Sequence, residues 1–165
     1  MRWFRFAVLV LIVTVLQASV VDIIAVTRLN IKPDLLLILL VFFSIYYNSP
    51  EVIITSFTIG FAADIIGPAM GARMISFGLF GTLLAYLHEV ITIKKMPYQS
   101  LAIFISGFLT GSLAHFFTLL KGQPTEANAY TALLWTSLYT SLVGPFLFLP
   151  TAWWMNIKTY RFGRR

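Results

Sequence analysis

A chain of 165 residues in which 59% are hydrophobic and only 11% charged departs from a soluble globular domain, where about a quarter of residues carry charge, and its mean hydropathy of +0.86 assigns it to lipid. Its net charge of +6 does not advertise nucleic acid, because the basic residues flank apolar stretches and form no stripe with interleaved aromatics. The absence of cysteine excludes disulfides, thiolate metal sites and cysteine nucleophiles. Six membrane crossings at about 20 residues each would consume most of the chain and leave no room for an enzymatic domain outside the membrane.

The first predicted span follows Arg2 and Arg5 and covers 6–26, apolar except for Thr14, Gln17, Ser19 and Asp22. A cleaved signal peptide is the rival reading of a basic start before an apolar core, but Leu16 is too large for the position two before Ala18 in a small-residue cleavage site, and the apolar run continues past it. After Arg28 and Lys32, Pro33 and Asp34 read as a helix start, with proline at the first helical position and an acid at the positive helix end. The second span covers 33–47. Asn48-Ser49-Pro50-Glu51 repeats this pattern, with Ser49 as the expected cap, and the third span covers 52–66, closed by Gly67-Pro68. The fourth covers 74–93 and stops at Lys94-Lys95-Met96-Pro97, and the fifth covers 101–120 before Lys121-Gly122-Gln123-Pro124. The sixth, 130–154, contains Gly144-Pro145 and Pro150 and is read as one kinked span, since neighbouring helices re-satisfy carbonyls that proline frees. Trp153, Trp154 and Tyr160 then form an aromatic belt. The fold class is therefore all-α, a single domain over 1–165 and a polytopic bundle of six transmembrane helices.

Orientation follows from the twelve Lys and Arg residues. With a cytoplasmic N-terminus and six spans, the inside holds Arg2, Arg5, Lys94, Lys95, Lys158, Arg161, Arg164 and Arg165, against Arg28, Lys32, Arg73 and Lys121 outside. This satisfies the positive-inside rule and puts both termini in the cytoplasm. A five-span layout would place the basic tail outside.

Small residues let helix backbones approach where lipid supplies no hydrophobic drive. Gly107 and Gly111 form a GxxxG on the fifth span, and Gly60, Asp64, Gly67 and Gly71 follow three- and four-residue steps along the third and its continuation. They serve internal packing or contact with a partner, a second copy included. Asp64 is the most informative residue, because an acid within a span normally faces a bundle interior or a wet cavity; the plainer reading is a structural hydrogen bond to a neighbouring element. His115 lies one helical repeat past Gly107 and Gly111, and packing suits it better than ligation, since no second His or Cys accompanies it at metal spacing. His88, Glu89 and Asp22 fall near span ends and read as interfacial. No Ser-His-Asp arrangement, Walker-type glycine loop or helically spaced acid pair occurs. No catalytic residue, metal or cofactor is expected.

The stretch Lys32-Pro33-Asp34-Leu35-Leu36-Leu37, followed by Gly60-Phe61-Ala62-Ala63-Asp64-Ile65-Ile66 and Gly67-Pro68-Ala69-Met70-Gly71, resembles the pattern of the MreD rod shape-determining family, in which a Pro-Asp-Leu opening precedes a Gly-rich span carrying an aspartate before a small-residue loop. The resemblance covers roughly 32–90 in motif and the whole chain in layout. It implies a non-enzymatic scaffold in the bacterial inner membrane, within the elongation complex that builds sidewall peptidoglycan. MreC is the implied direct partner, with MreB, RodA and its partner transpeptidase further off and membrane lipids around it. The family also resembles in fold the substrate-binding subunits of energy-coupling-factor transporters, so a vitamin-type binding subunit is the rival function. Those subunits usually carry an AxxxA-like motif on the first helix, which Ala7, Ala18 and Ala25 do not supply.

Orientation and polar residues together predict an outward-facing polar cavity. Spans one, three and five run outward, which brings Asp22, Asp64 and His115 into the outer half, where Arg73 is the cation in the short loop after Asp64. Asp64 and Arg73 would form the rim, with His115 and Asp22 as further members, around space for a partner segment, a lipid head group or water. The alternative is an Asp64–Arg73 salt bridge that staples the loop from Gly67 to Gly71 to the bundle.

Overall fold

The computed structural model describes residues 3–19, 33–67, 71–90, 96–122 and 129–156. Among these residues the regular structure consists of six α-helices: α1 (Trp3–Ser19), α2 (Leu35–Tyr46), α3 (Ser49–Ile66), α4 (Ala72–Val90), α5 (Met96–Leu120) and α6 (Ala129–Met155). Three are long and apolar enough to cross a membrane, over Ser49–Ile66, Pro97–Leu120 and Ala129–Met155. The other apolar helices, Trp3–Ser19, Leu35–Tyr46 and Ala72–Leu87, are shorter.

Two helix starts differ from the sequence expectation. In α2 the cap is Asp34, whose carboxylate accepts the Leu37 N–H at 3.1 Å, so Pro33 stands before the cap and not at the first helical position. A short acid reaches back to an orphan amide, which proline cannot do. In α3 the cap is the extended Asn48, one residue before Ser49, with Pro50 in the first turn and Glu51 at the positive helix end. Both α3 and α5 begin earlier than expected, at Ser49 and Met96, because polar residues at a span's edge continue a helix whose apolar part starts later. The two prolines of α6, Pro145 and Pro150, lie within one continuous helix.

The centre of the molecule is α2. Every residue from Leu36 to Ile45 is buried, Ser44 among them, and α2 touches each of the other five helices. Those five expose large apolar side chains outward, for example Leu11 and Val15 of α1, Phe61 and Ile65 of α3, Leu79 of α4, Leu109 of α5 and Leu142 and Phe146 of α6. An apolar exterior around an apolar centre is the pattern of a body solvated by lipid. Edge-on ring contacts join α2 to its neighbours, Phe43 with Phe6 of α1 at 5.1 Å and Phe42 with Phe148 of α6 at 5.4 Å. A hydrogen bond between Tyr46 and the buried Gln99 adds α5.

At about 1.5 Å per residue, the 12 residues of α2 rise about 18 Å, well short of a roughly 30 Å hydrocarbon core. Its first amides must therefore find partners within the bundle, because lipid offers none. Gln17 of α1 supplies one, its Oε1 accepting the Leu35 N–H at 2.8 Å while its Nε2 donates to the Pro33 carbonyl at 3.3 Å. The Asp34 N–H donates to Thr140 Oγ1 at 2.9 Å, and the Thr140 hydroxyl donates to the Thr136 carbonyl at 2.7 Å. At the opposite end Arg5 Nη1 donates to the Trp154 carbonyl and Trp154 Nε1 to the Arg5 carbonyl, both at 3.2 Å. The first turn of α1 and the last turn of α6 thus meet.

Candidate functional site

Asp64 sits one helical turn after Gly60, on the face of α3 that meets the start of α4. A Cβ at Gly60 would lie 2.7 Å from Met74 Cα and 3.1 Å from the Arg73 carbonyl oxygen, so the backbones of α3 and α4 are in direct contact here. That approach brings the Asp64 carboxylate under the first turn of α4. Oδ2 accepts the Gly71 N–H at 2.8 Å and the Met74 N–H at 2.9 Å, and Oδ1 accepts the Arg73 N–H at 3.0 Å. A helix start leaves amides without intrahelical partners and carries partial positive charge. Asp64, 4% exposed, answers both from a neighbouring helix. Gly71 turns the chain into α4 with φ +89°, a left-handed conformation in which L side chains are strained.

The anticipated salt bridge is replaced by these main-chain bonds. Among the described residues no ion pair joins Asp64 to Arg73, whose contribution is its N–H, while its side chain runs past Gly67, with Nε 3.7 Å from where a Cβ would stand. A second cation comes from α5. Lys121 Nζ lies 3.6 Å from the position of a Gly71 Cβ, an arrival across fifty residues of sequence that no local pattern signals. His115 meets Tyr130 of α6, ring centroids 5.2 Å apart and edge-on. Asp22 lies outside the described residues.

The two glycines of the fifth-span GxxxG face neighbouring helices. A Cβ on Gly107 would meet Leu37 of α2 at 2.8 Å and Ser137 of α6 at 3.1 Å, and one on Gly111 would meet Leu133 of α6 at 2.6 Å. Gly67 ends α3, its N–H donating to the Ala63 carbonyl at 3.1 Å. Replacing Gly107 and Gly111 together with Leu is therefore expected to part α5 from α2 and α6 and to lower the melting temperature in detergent. Unchanged melting of that double variant would disprove the close contact.

Elsewhere, a shallow groove of about 370 Å³ lies between the first turns of α5 and the proline-containing half of α6, lined by Pro97, Ser100, Leu138, Ser141, Pro145 and Phe146 among others. It is at the opposite end of α5 from Lys121. Among the described residues no group of three His, Cys, Asp or Glu side chains is placed to hold a metal ion. Sequence reasoning also left unassigned the residues that seat α2, namely Gln17 and Thr140, and the Arg5–Trp154 pairing. Gln17 carried a usable signal, since an amide within an apolar helix needs a partner; Thr140 did not, being one hydroxyl among several on α6.

The protein-family model described as MreD, rod shape-determining protein MreD, matches residues 1–157. The chain belongs to the MreD family. The match takes in all six helices and both halves of the contact between Asp64 and α4. No curated protein and no solved structure matches the chain. Membership makes this MreD-family chain a rod shape-determining membrane protein, of a family of structural components of the MreBCD system, and the apolar exterior of its helices fits that placement.

Proposed function

We propose that this protein is a non-enzymatic scaffold of the bacterial cell-elongation complex, a single six-span domain in the inner membrane that binds MreC and through it supports sidewall peptidoglycan synthesis by the machinery of MreB, RodA and the partner transpeptidase. The observation that carries this reading is the family match across the whole helical body. Its physical counterpart is a body that spends Gln17, Thr140 and Asp64 on seating α2 and starting α4 and presents many large apolar side chains outward. Such a body offers a partner's membrane helix a shaped apolar surface. The six-span fold, with its likeness to the substrate-binding subunits of energy-coupling-factor transporters, belongs to the same proposal. At the end where α3 meets α4, Arg73 and His115, with Asp22 as a further member, are proposed to rim an outward opening beneath which Asp64 acts as buried support.

Affinity purification in mild detergent with mass spectrometry of proteins and small molecules tests this function. MreC is expected to remain bound; a vitamin retained at high affinity with no MreC would replace the scaffold with a transporter subunit. The proposed topology has both termini in the cytoplasm, supported by the charge distribution and by the meeting of α1's first turn with α6's last turn. A C-terminal green fluorescent protein fusion should fluoresce, and a C-terminal alkaline phosphatase fusion should stay inactive. Phosphatase activity would overturn the layout.

A further inference from the structure

The second half of α6 carries two breaks in its backbone ladder. Proline has no N–H to bond the carbonyl four residues back, so Pro145 leaves the Ser141 carbonyl, and Pro150 the Phe146 carbonyl, without an intrahelical donor. Ser141 stands near the middle of the 27 residues of α6, at a depth where a membrane holds no water to answer such a group. Among the described residues, the hydroxyls on this part of α6 are engaged elsewhere: Thr140 donates to the Thr136 carbonyl, Ser141 to that of Leu138 and Thr151 to that of Leu147. Ser141, Pro145 and Phe146 all line the groove of about 370 Å³ between α6 and the first turns of α5, so the break between Ser141 and Pro145 opens onto it. Across the groove stands Ser100, whose single O–H can meet at most one of the two carbonyls. The groove therefore offers an acceptor to a donor from outside.

The wall of the groove narrows what can bring that donor. Leu138, Leu142 and Phe146 follow at four-residue steps, are exposed, and continue to the exposed Leu149, which makes one apolar ridge of the kind that packs against a second helix. A lipid acyl chain would cover the ridge but has no N–H or O–H to give. A helix carrying Ser, Thr or Trp supplies both, and contact of backbones with interhelical hydrogen bonds is what joins helices in lipid. We propose that this groove seats one membrane-spanning helix of a partner protein, packed on the Leu138, Leu142 and Phe146 ridge and donating a side-chain hydrogen bond to the Ser141 or Phe146 carbonyl. On the scaffold reading above that partner is MreC, and the proposal rests on that reading.

The test coexpresses the full-length protein with full-length MreC from the same bacterium and places the photoreactive residue p-benzoylphenylalanine at Leu142 or Phe146, in the groove, or at Leu79, exposed on α4. Cross-links to the membrane helix of MreC are expected from Leu142 and Phe146 and not from Leu79. Ser100→Leu, which fills the groove from the α5 side, should lower the MreC recovered in mild detergent about tenfold. Pro145→Ala returns an N–H to the Ser141 carbonyl, so it should lower recovery about threefold while leaving the melting temperature unchanged or raised. MreC recovered equally by Ser100→Leu, or cross-linked as well from Leu79, overturns the groove while leaving the scaffold reading intact. Cross-links from Leu142 and Phe146 that reach only lipid or a second copy of this chain overturn the assignment to a partner's helix, and undiminished recovery by Pro145→Ala overturns the hydrogen bond to the Ser141 carbonyl. Failure of the unaltered protein to retain MreC at all overturns the scaffold reading and this proposal with it. Should Ser100→Leu not accumulate in the membrane, the comparison of the three cross-linking positions decides the matter.

Discussion

Replacing Asp64→Ala is expected to lower the melting temperature by about 10 °C or more, or to prevent accumulation in the membrane. The change strips acceptors from three N–H groups at once. Each buried donor left unpaired costs about 1–3 kcal/mol, and in a chain of this size each kcal/mol moves the midpoint by about 2–4 °C. Asp64→Asn keeps one carbonyl oxygen but turns an amide NH₂ toward the donors, and its loss should fall between Ala and the unaltered protein. Charge reversal separates this arrangement from a side-chain salt bridge. Arg73 meets Asp64 through its main-chain N–H, which any residue but proline provides, so Arg73→Asp alone should cost less than about 1 kcal/mol. The pair Asp64→Arg with Arg73→Asp should melt as low as Asp64→Arg alone. Recovery of the unaltered melting temperature in that double variant, measured by size-exclusion after heating, would show that the side chains pair after all.

The apolar segments are legible in the sequence because residues with mechanical meaning bound them: the proline and acid that open α2 and α3, the glycine that closes α3, and Pro97 and Pro124 on either side of the apolar run 101–120. Which segment lies at the centre is less legible. The run from Leu35 to Ile45 is interrupted by a single hydroxyl, Ser44, which donates to the Leu40 carbonyl within its own helix at 2.8 Å. A helix with no polar face is a signal of burial on all sides, but in a chain where every segment is apolar it does not stand out. The depth at which α2 begins is not legible at all. It depends on Gln17 and Thr140 arriving from helices placed by the rest of the fold.

For Asp64 the sequence established that an acid inside a span must be satisfied, while leaving its partner open. Arg73 was the obvious candidate because side-chain charge is visible in a sequence. The actual partners are main-chain amides, which every residue carries and which therefore leave no mark. Lys121 was hidden for a related reason, since only the antiparallel placement of α4 and α5 brings it to Gly71. The features the sequence obscured are those in which one member is backbone or in which a distant helix supplies the group.

The glycines give a test in which two superficially equal substitutions are expected to differ widely in effect. Gly60 and Gly111 both stand on apolar helices, and in sequence both belong to small-residue series of the kind that marks close packing. Gly60 faces main-chain atoms, Met74 Cα at 2.7 Å and the Arg73 and Met74 carbonyl oxygens at 3.1 Å from a built Cβ. No rotamer change relieves that clash; α3 must move off α4, which also draws Asp64 away from the amides it holds. Gly60→Ala is thus expected to destabilise by about 2–4 kcal/mol, an overpacking cost with a weakened cap added to it. Gly111 faces the far end of a flexible side chain, Leu133 Cδ2 at 2.6 Å, with the next atoms at 3.7 and 3.8 Å. A turn of Leu133 about its last torsion clears the space, and alanine gains about 1 kcal/mol of helix propensity over glycine. Gly111→Ala should therefore melt within about 3 °C of the unaltered protein or slightly above it, while Gly60→Ala melts well below. Equal losses for the two would mean that α5 and α6 are as tightly seated as α3 and α4, and that Leu133 has nowhere to turn.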